Sequence, residues 1–308
     1  MRHALATLVL GLFCLVPPAG AKDRAVTIGL MVDSPADLPM ALRIATALDH
    51  QGGLRIVPMA GKGPSQTLTD LVHLEGVDAA LLPSDTLAYA VREDLLDVKT
   101  SKISYIVKLA SRSLVLLARK DVESLAGLAG KRVAVGTTAD ENFVSARLLL
   151  DATQTIVDEA PLSGEAALTG LADGSVDAAF LTADDAAALL GRHKLRGIHI
   201  VPLPLPDALA EAFAPALLTA DMVPGLLKKS ETVETVSSSL ILAVFEWPKG
   251  SPQSLTTKAF AAALFDALGR GGGAGLNLAA SVPGWTRARV AEELLAAPAA
   301  IQPVNAEN

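Results

Sequence analysis

With 308 residues, 51% of them hydrophobic, the chain is long enough for two domains and apolar enough to bury a core in each, which excludes a disordered or low-complexity protein. Its formal charge of −7 leaves no basic footprint for nucleic acid. Its one cysteine, Cys14, excludes disulfides, and a cysteine so near the N-terminus leaves the rest of the chain without thiol catalysis or a cysteine metal site.

Residues 1–21 read as a secretory signal peptide: basic Arg2, an apolar run from Ala4 to Val16, the breaker pair Pro17-Pro18, and the small cleavage sequence Ala19-Gly20-Ala21. The run is short for a membrane anchor, and Phe13 is bulkier than the small residues that precede a lipidated cysteine. Cleavage after Ala21 would remove Arg2 and take the charge from −7 to −8. An exported chain without disulfides is expected in the periplasm.

"AVTIGLMV" from Ala25 reads as a buried strand, closed by the turn Asp33-Ser34-Pro35. A helix follows, with Leu38, Leu42, Ala45 and Leu48 at helical spacing and Pro39 in its first turn. "GLRIVPM" is a strand, "SQTLTDLVHLEG" a helix ending at Gly76, "VDAALLP" a strand and "SDTLAYAVRE" a helix. "ISYIVKLASRSLVLLARK" holds two strand-like runs. The pattern then restarts. "VESLAGLAGK" is a short helix, "RVAVG" a strand, and "DENFVSARLLLDATQ" a helix with Phe143, Ala146, Leu149 and Leu150 on one face. "GEAALTGLADG" is a helix, "SVDAAFLT" a strand, "ADDAAALLGRH" a helix and "GIHIVPLP" a strand. Alternating strands and helices in two batches predict an α/β protein with mainly parallel sheets covered on both faces. A helical tail is expected within Ser281–Leu295, and the Pro/Ala-rich end reads as irregular.

One motif occurs in both batches: "GVDAALLPSD" from Gly76 and "SVDAAFLTAD" from Ser175. In each, a strand that opens Val-Asp-Ala-Ala ends in a polar loop, and an Asp opens the next helix. The carboxyl ends of strands line the crevice of open α/β sheets, so Pro83-Ser84-Asp85 and Thr182-Ala183-Asp184 are expected to face one cleft from opposite sides.

Together with "SLAGLAGKRVAVG", "FVSAR" and "ETVSSSLILAVFEWP", these segments resemble, from about Ala25 to Leu268, the TAXI family, the receptor subunits of one branch of TRAP transporters. The resemblance implies a two-lobed type II periplasmic binding protein fold, each lobe a mainly parallel sheet flanked by helices, with a two-segment hinge near Arg119 and Val233. Lobe 1 would comprise residues 25–118 and 234–308, and lobe 2 residues 119–233. It implies capture of a small organic solute and its delivery to a TRAP-type membrane permease by a monomer, with no catalysis, cofactor, metal or nucleic acid. Candidate ligand-binding residues are Asp33 and Ser34 after the first strand; Ser84, Asp85 and Tyr89 around the first lip; Thr137, Thr138, Asp140 and Asn142 after "RVAVG"; and Thr182 and Asp184 at the second lip. An ABC-importer receptor of the nitrate, sulfonate or thiamine-precursor type, or a sensor-like protein that presents a surface to a partner, remain alternatives.

The chain departs from the family in its anion-holding loops. The glycine-rich loop after the first strand is replaced by "LMVDSPADL", where Pro35 lacks a donor and Asp33 and Asp37 add negative charge. In the second, "TTADENF", Asp140 or Glu141 would stand at a helix N-terminus. Either these acids cap helices, or Asp33, Asp85, Asp140 and Asp184 make a cleft suited to a neutral or cationic ligand.

Other features point to no chemistry. His50, His73, His193 and His199 show no metal-ligand spacing. "GRGGGAGLN" reads as a linker rather than a phosphate loop. "SETVETVSSS" reads as a return segment with solvent-facing hydroxyls. Trp247 and Trp285 read as packing anchors. Tyr89 either stacks on a ligand or packs into its lobe.

Overall fold

The computed structural model describes residues 25–49, 53–96, 102–192, 196–270 and 277–297. The signal-peptide reading of residues 1–21, Cys14, His50, His193, most of the Gly-rich run and the Pro/Ala-rich end lie outside the described residues.

In the first batch, β1 (Val26–Val32) pairs in parallel with β2 (Leu54–Ala60) and β3 (Ala79–Pro83). Helices α1 (Leu38–Leu48), α2 (Pro64–His73) and α3 (Asp85–Arg92) make the connections. α1 buries Ala41, Ile44 and Leu48; Leu42, read as part of its apolar face, is 51% exposed, because the buried stripe is rotated by one residue.

The two strand-like runs that follow are one 17-residue strand, β4 (Ile103–Arg119). It joins the halves of the molecule. Residues 103–113 pair with β10 (Val233–Phe245), and residues 114–119 pair with β7 (Ala178–Thr182) and β8 (Ile198–Val201). In the second batch β5 (Arg132–Ala134) runs parallel to β6 (Asp158–Ala160) and β7. Its helices are α4 (Glu141–Ala152), α5 (Gly164–Asp173) and α6 (Ala183–Leu190). "VESLAGLAGK" supplies only a 3-10 turn, Leu125–Leu128, capped by Ser124.

Strand β10 crosses back. Its start pairs with β9 (Ala214–Leu218) and its remainder with β3 and β4, giving the order β2-β1-β3-β10-β4-β7-β5-β6. Lying between partners, it buries Ser237, Ser238 and Ser239, which overturns the expectation of solvent-facing hydroxyls. Helices α7 (Pro252–Arg270) and α8 (Arg289–Ala296) follow, and Phe260, Leu264, Val290 and Ala291 join the first half's core. Trp285 is buried in the first half's second apolar cluster, with Leu82 and Tyr105, whereas Trp247 is 39% exposed and rests edge-on against Phe245.

The apolar clusters divide at the same strand crossings. Two draw their buried residues from positions 28–107 and 240–291, and two from positions 114–236. The two-lobed α/β architecture implied by the sequence is therefore present. Among the described residues, no helix is long and apolar enough to cross a membrane.

Candidate functional site

At the junction of the two halves, β1 ends and Asp33 follows, 1% exposed. Ser34 then caps a 3-10 turn over Pro35–Asp37 by accepting from Ala36 N (3.2 Å), with Pro35 in its first position. The turn brings Asp37 inward. From the other half comes the loop before α4. The side chain of its N-cap, Asp140, makes no capping bond to its own helix; its Oδ2 accepts from Thr137 N (2.7 Å) and Thr137 Oγ1 (2.6 Å), folding the loop, and the next residue, Glu141, is buried. Arg112, at the crossing in β4, donates from one guanidinium nitrogen to Asp37 Oδ1 and from another to Glu141 Oε1. One cation thus ties a carboxylate of each half.

Burial raises the acids' pKa values, and the Arg112 charge works against it. Asp33 is held well above the usual carboxylate range, first by burial and then by the charges of Glu141 and Asp37. Burial raises Asp37 too, against the pull of Arg112. Glu141 is pushed up to about 7 by burial, Arg112 again opposing. Burial disfavours the charge of Arg112, but Glu141 and Asp37 together outweigh that and raise its pKa.

A cavity of about 270 Å³ opens beside this group. Ser34 borders it from one half, Asp140, Glu141, Asp184 and Asp185 from the other, and Arg112 from the crossing strand. A second, of about 210 Å³, shares Arg112, Thr182 and Asp184 and reaches Asp221 and Met222. Four acids thus face the first cavity against one arginine that is already paired.

The sequence-predicted residues separate into two sets. Ser34, Asp140, Asn142, Thr182 and Asp184 border the 270 Å³ cavity. Within it Asn142 Nδ2 holds backbone, donating to Phe180 O (2.9 Å) and Val135 O (3.2 Å), and Thr182 Oγ1 caps α6 by accepting from Asp185 N (3.1 Å). Thr137 folds its own loop through Asp140. Thr138 meets the other half through its backbone: a Cβ on Gly63, whose φ is +101°, would collide with the Thr138 carbonyl oxygen and stand 2.6 Å from Ala139 Cα.

Asp33, Ser84, Asp85 and Tyr89 do not border it. Ser84 is locked to the return strand: its N–H donates to Ser239 O (2.8 Å), its Oγ accepts from Ser239 N (2.9 Å), and its carbonyl accepts from Trp285 Nε1 (2.7 Å). Asp85 is wholly buried and accepts from Ser145 Oγ across the junction; burial pushes it up to about 6, with Ser145 opposing. Tyr89 packs edge-on against Phe143, ring centroids 6.2 Å apart, again across the junction. Arg92 and Asp151 pair there too, at 2.6 Å.

Sequence reasoning passed over Arg112, Glu141 and Asp185 as site residues, and took Asp37 only as added charge. The signal for Arg112 was a lone arginine between two serines inside an apolar strand.

No protein-family model matches the chain, and no curated protein matches it. Solved structures overlap with it distantly. An ancestral arginine-binding protein bound to arginine has a TM-score of 0.47 at 15% identity, with 80% of this chain and 93% of that one covered. The periplasmic aliphatic sulphonate-binding protein of Escherichia coli scores 0.46 at 16% identity, covering 80% and 74%. The GluR0 ligand-binding core of Nostoc punctiforme in complex with L-glutamate scores 0.46 at 16% identity, covering 80% and 94%.

Proposed function

We propose that the protein is a periplasmic solute-binding receptor of the TAXI kind. Its lobes, drawn where β4 and β10 change partners rather than at the 118/119 and 233/234 bounds read from the sequence, are residues 25–113 with 238–308 and residues 114–237; they close on a small organic solute and hand it to a TRAP-type permease. The observation that carries this reading is the 270 Å³ cavity at the strand crossings, walled from both halves. Its size falls just below the range for small-molecule pockets, roughly 300–1,000 Å³, which suits a small solute. Bending is assigned to the places where β4 and β10 change partners, between Ser113 and Leu114 and around Ser237. The residues proposed to meet the solute are Ser34, Arg112, Asp140, Glu141, Asp184 and Asp185.

Charge sets the ligand class. A carboxylate-bearing solute would meet four acids and an arginine whose charge is already taken by Asp37 and Glu141. A neutral or cationic solute is favoured. Isothermal titration with arginine, lysine and putrescine against glutamate tests this. Micromolar or tighter binding of a cation is expected; tight glutamate binding with no response to cations would overturn it. A fused TRAP permease gene beside this one supports the delivery step, whereas an ATPase gene there favours an ABC importer.

A second reading has its own observation. Arg112, Asp85 with Ser145, Tyr89 with Phe143, and Gly63 against Thr138 join the lobes by the chain's own groups. A protein fastened in this way could present a fixed surface to a membrane sensor. Silence across a broad thermal-shift screen, with capture of such a sensor by pull-down, would favour that role.

A further inference from the structure

Asp33, Asp37 and Glu141 meet behind the cavity, one carboxylate oxygen of each lying within 4.8 Å of the others. All three are buried. Asp33 is the deepest, 1% exposed, and neither of its oxygens has a hydrogen-bond partner. Asp37 Oδ2 is also unpartnered, because Arg112 takes only Asp37 Oδ1 and Glu141 Oε1. A buried carboxylate accepting nothing is expensive, and with all three acids ionised the group, including its one guanidinium, would carry −2.

We propose that Asp33, Asp37 and Glu141 hold a divalent metal ion, calcium or manganese, at the seam between the two lobes. A charge of +2 brings the group to neutrality and gives the orphaned oxygens of Asp33 a partner. The donors are all carboxylate oxygens, the hard set that suits these ions, with no histidine or cysteine among them to favour zinc. Calcium–oxygen distances of about 2.3–2.6 Å place two oxygens of one ion at most about 5 Å apart, and the three oxygens here fall inside that limit. Magnesium keeps several waters, which so buried a group does not favour. Glu141 and Arg112 also border the 270 Å³ cavity, so the ion has a route in and can retain water on that side. Because Asp33 and Asp37 belong to one half and Glu141 to the other, the ion would clamp the lobes. The inference stands apart from the receptor reading, since metal binding is measured with no organic solute present.

The test uses the whole mature protein, stripped with EDTA and desalted, titrated with calcium or manganese chloride at pH 7.5 by calorimetry and followed by thermal unfolding. One ion per chain is expected, with the midpoint raised by about 5 °C or more at a hundredfold excess over Kd. Asp33→Asn and Glu141→Gln should each weaken binding at least tenfold. Should a variant fail to fold, native mass spectrometry of the wild type still counts the ions bound. The proposal falls if the wild type binds neither ion. It falls equally if both variants bind as tightly as the wild type, which would put the ion elsewhere. A wild type that gains stability from pH 7.5 to 5 but ignores both metals would show that protons neutralise the group, and would also overturn it.

Discussion

Asp78 and Asp177 occupy the same place in the two copies of the Val-Asp-Ala-Ala motif, one in each half of the molecule. Each clamps the start of its strand to the neighbouring parallel strand by a pair of bonds. Asp78 N donates to Gly29 O (2.9 Å) and its Oδ2 accepts from Gly29 N (2.8 Å). Asp177 N donates to Arg132 O (2.8 Å) and its Oδ2 accepts from Arg132 N (3.0 Å). The alanines that follow, Ala79 and Ala80 or Ala178 and Ala179, are completely buried. What the copies share therefore builds the sheets. What they do not share lies at the junction. In the first copy Ser84 is bonded into β10 and Asp85 is buried against Ser145. In the second, Thr182 caps its own helix and Asp184 is exposed at the cavity. One lip is fastened to the return strand and the other borders the cavity.

The clamps differ in the turn that precedes them, and the largest expected effect comes from it. The left-handed residue before the strand is Gly76, two places ahead of Asp78, but Gly174, three places ahead of Asp177. In the first half the Gly76 carbonyl lies over Gly29, and a Cβ there would collide with it. Gly29→Ala is expected to destabilise by about 3 kcal/mol or more, at the upper end for overpacking a core. Arg132→Ala should move stability by less than about 1 kcal/mol, since its ion pair with Asp158 is exposed. Urea denaturation of both variants checks this; equal losses would remove the asymmetry.

The two lips should also answer differently to pH. Asp85 is raised from 3.8 to about 6, chiefly by burial. A folded-state pKa above the unfolded one means that the folded protein holds the proton more tightly. The stabilisation is fully present below about 4 and is lost as pH rises through 6. Asp85→Asn cannot ionise, so at pH 8 it should be more stable than the wild type by about 3 kcal/mol, an advantage that nearly vanishes near pH 4. Asp184→Asn should change stability by less than about 0.5 kcal/mol at either pH, as an exposed substitution does. Denaturation of metal-free wild type and variant at the two pH values decides; an Asp85→Asn advantage over the wild type no larger at pH 8 than at pH 4 would contradict the buried, proton-holding lip.

The scaffold was easier to read than the junction. Strand and helix alternation leaves its mark at short range: apolar runs, helical spacing and glycine stops placed most of the elements. The 17 residues of β4 were read as two runs because Lys108, Ser111, Arg112 and Ser113 interrupt the apolar pattern where the strand passes the junction. Ser237–Ser239 were read as solvent-facing because hydroxyls carry no sign of strands on both sides. The role of Arg112 is set by Asp37 and Glu141, 75 and 29 residues away, and no local pattern encodes such a pairing. Asp85 and Asp184 look alike in sequence; the helix packed over Asp85, with Ser145 on it, makes one a buried group and the other a cavity wall.

The smallest effect separates the clamps themselves. Removing either carboxylate by Asp78→Ala or Asp177→Ala leaves a backbone N–H without its charged acceptor. For Gly29 that N–H lies in a partly buried strand, where a hydrogen bond to a charged group contributes about 1.5–3 kcal/mol. For Arg132 the bond is exposed, water can replace the carboxylate, and the loss should fall to about 0.5–1 kcal/mol. Asp78→Ala is therefore expected to unfold at lower urea than Asp177→Ala, with the same denaturant slope. Hydrogen exchange sharpens the contrast: the Gly29 amide should lose protection in the first variant while the Arg132 amide, already near solvent, changes little in the second. If both amides lose protection equally, the two clamps are equivalent and the asymmetry lies only in the lips.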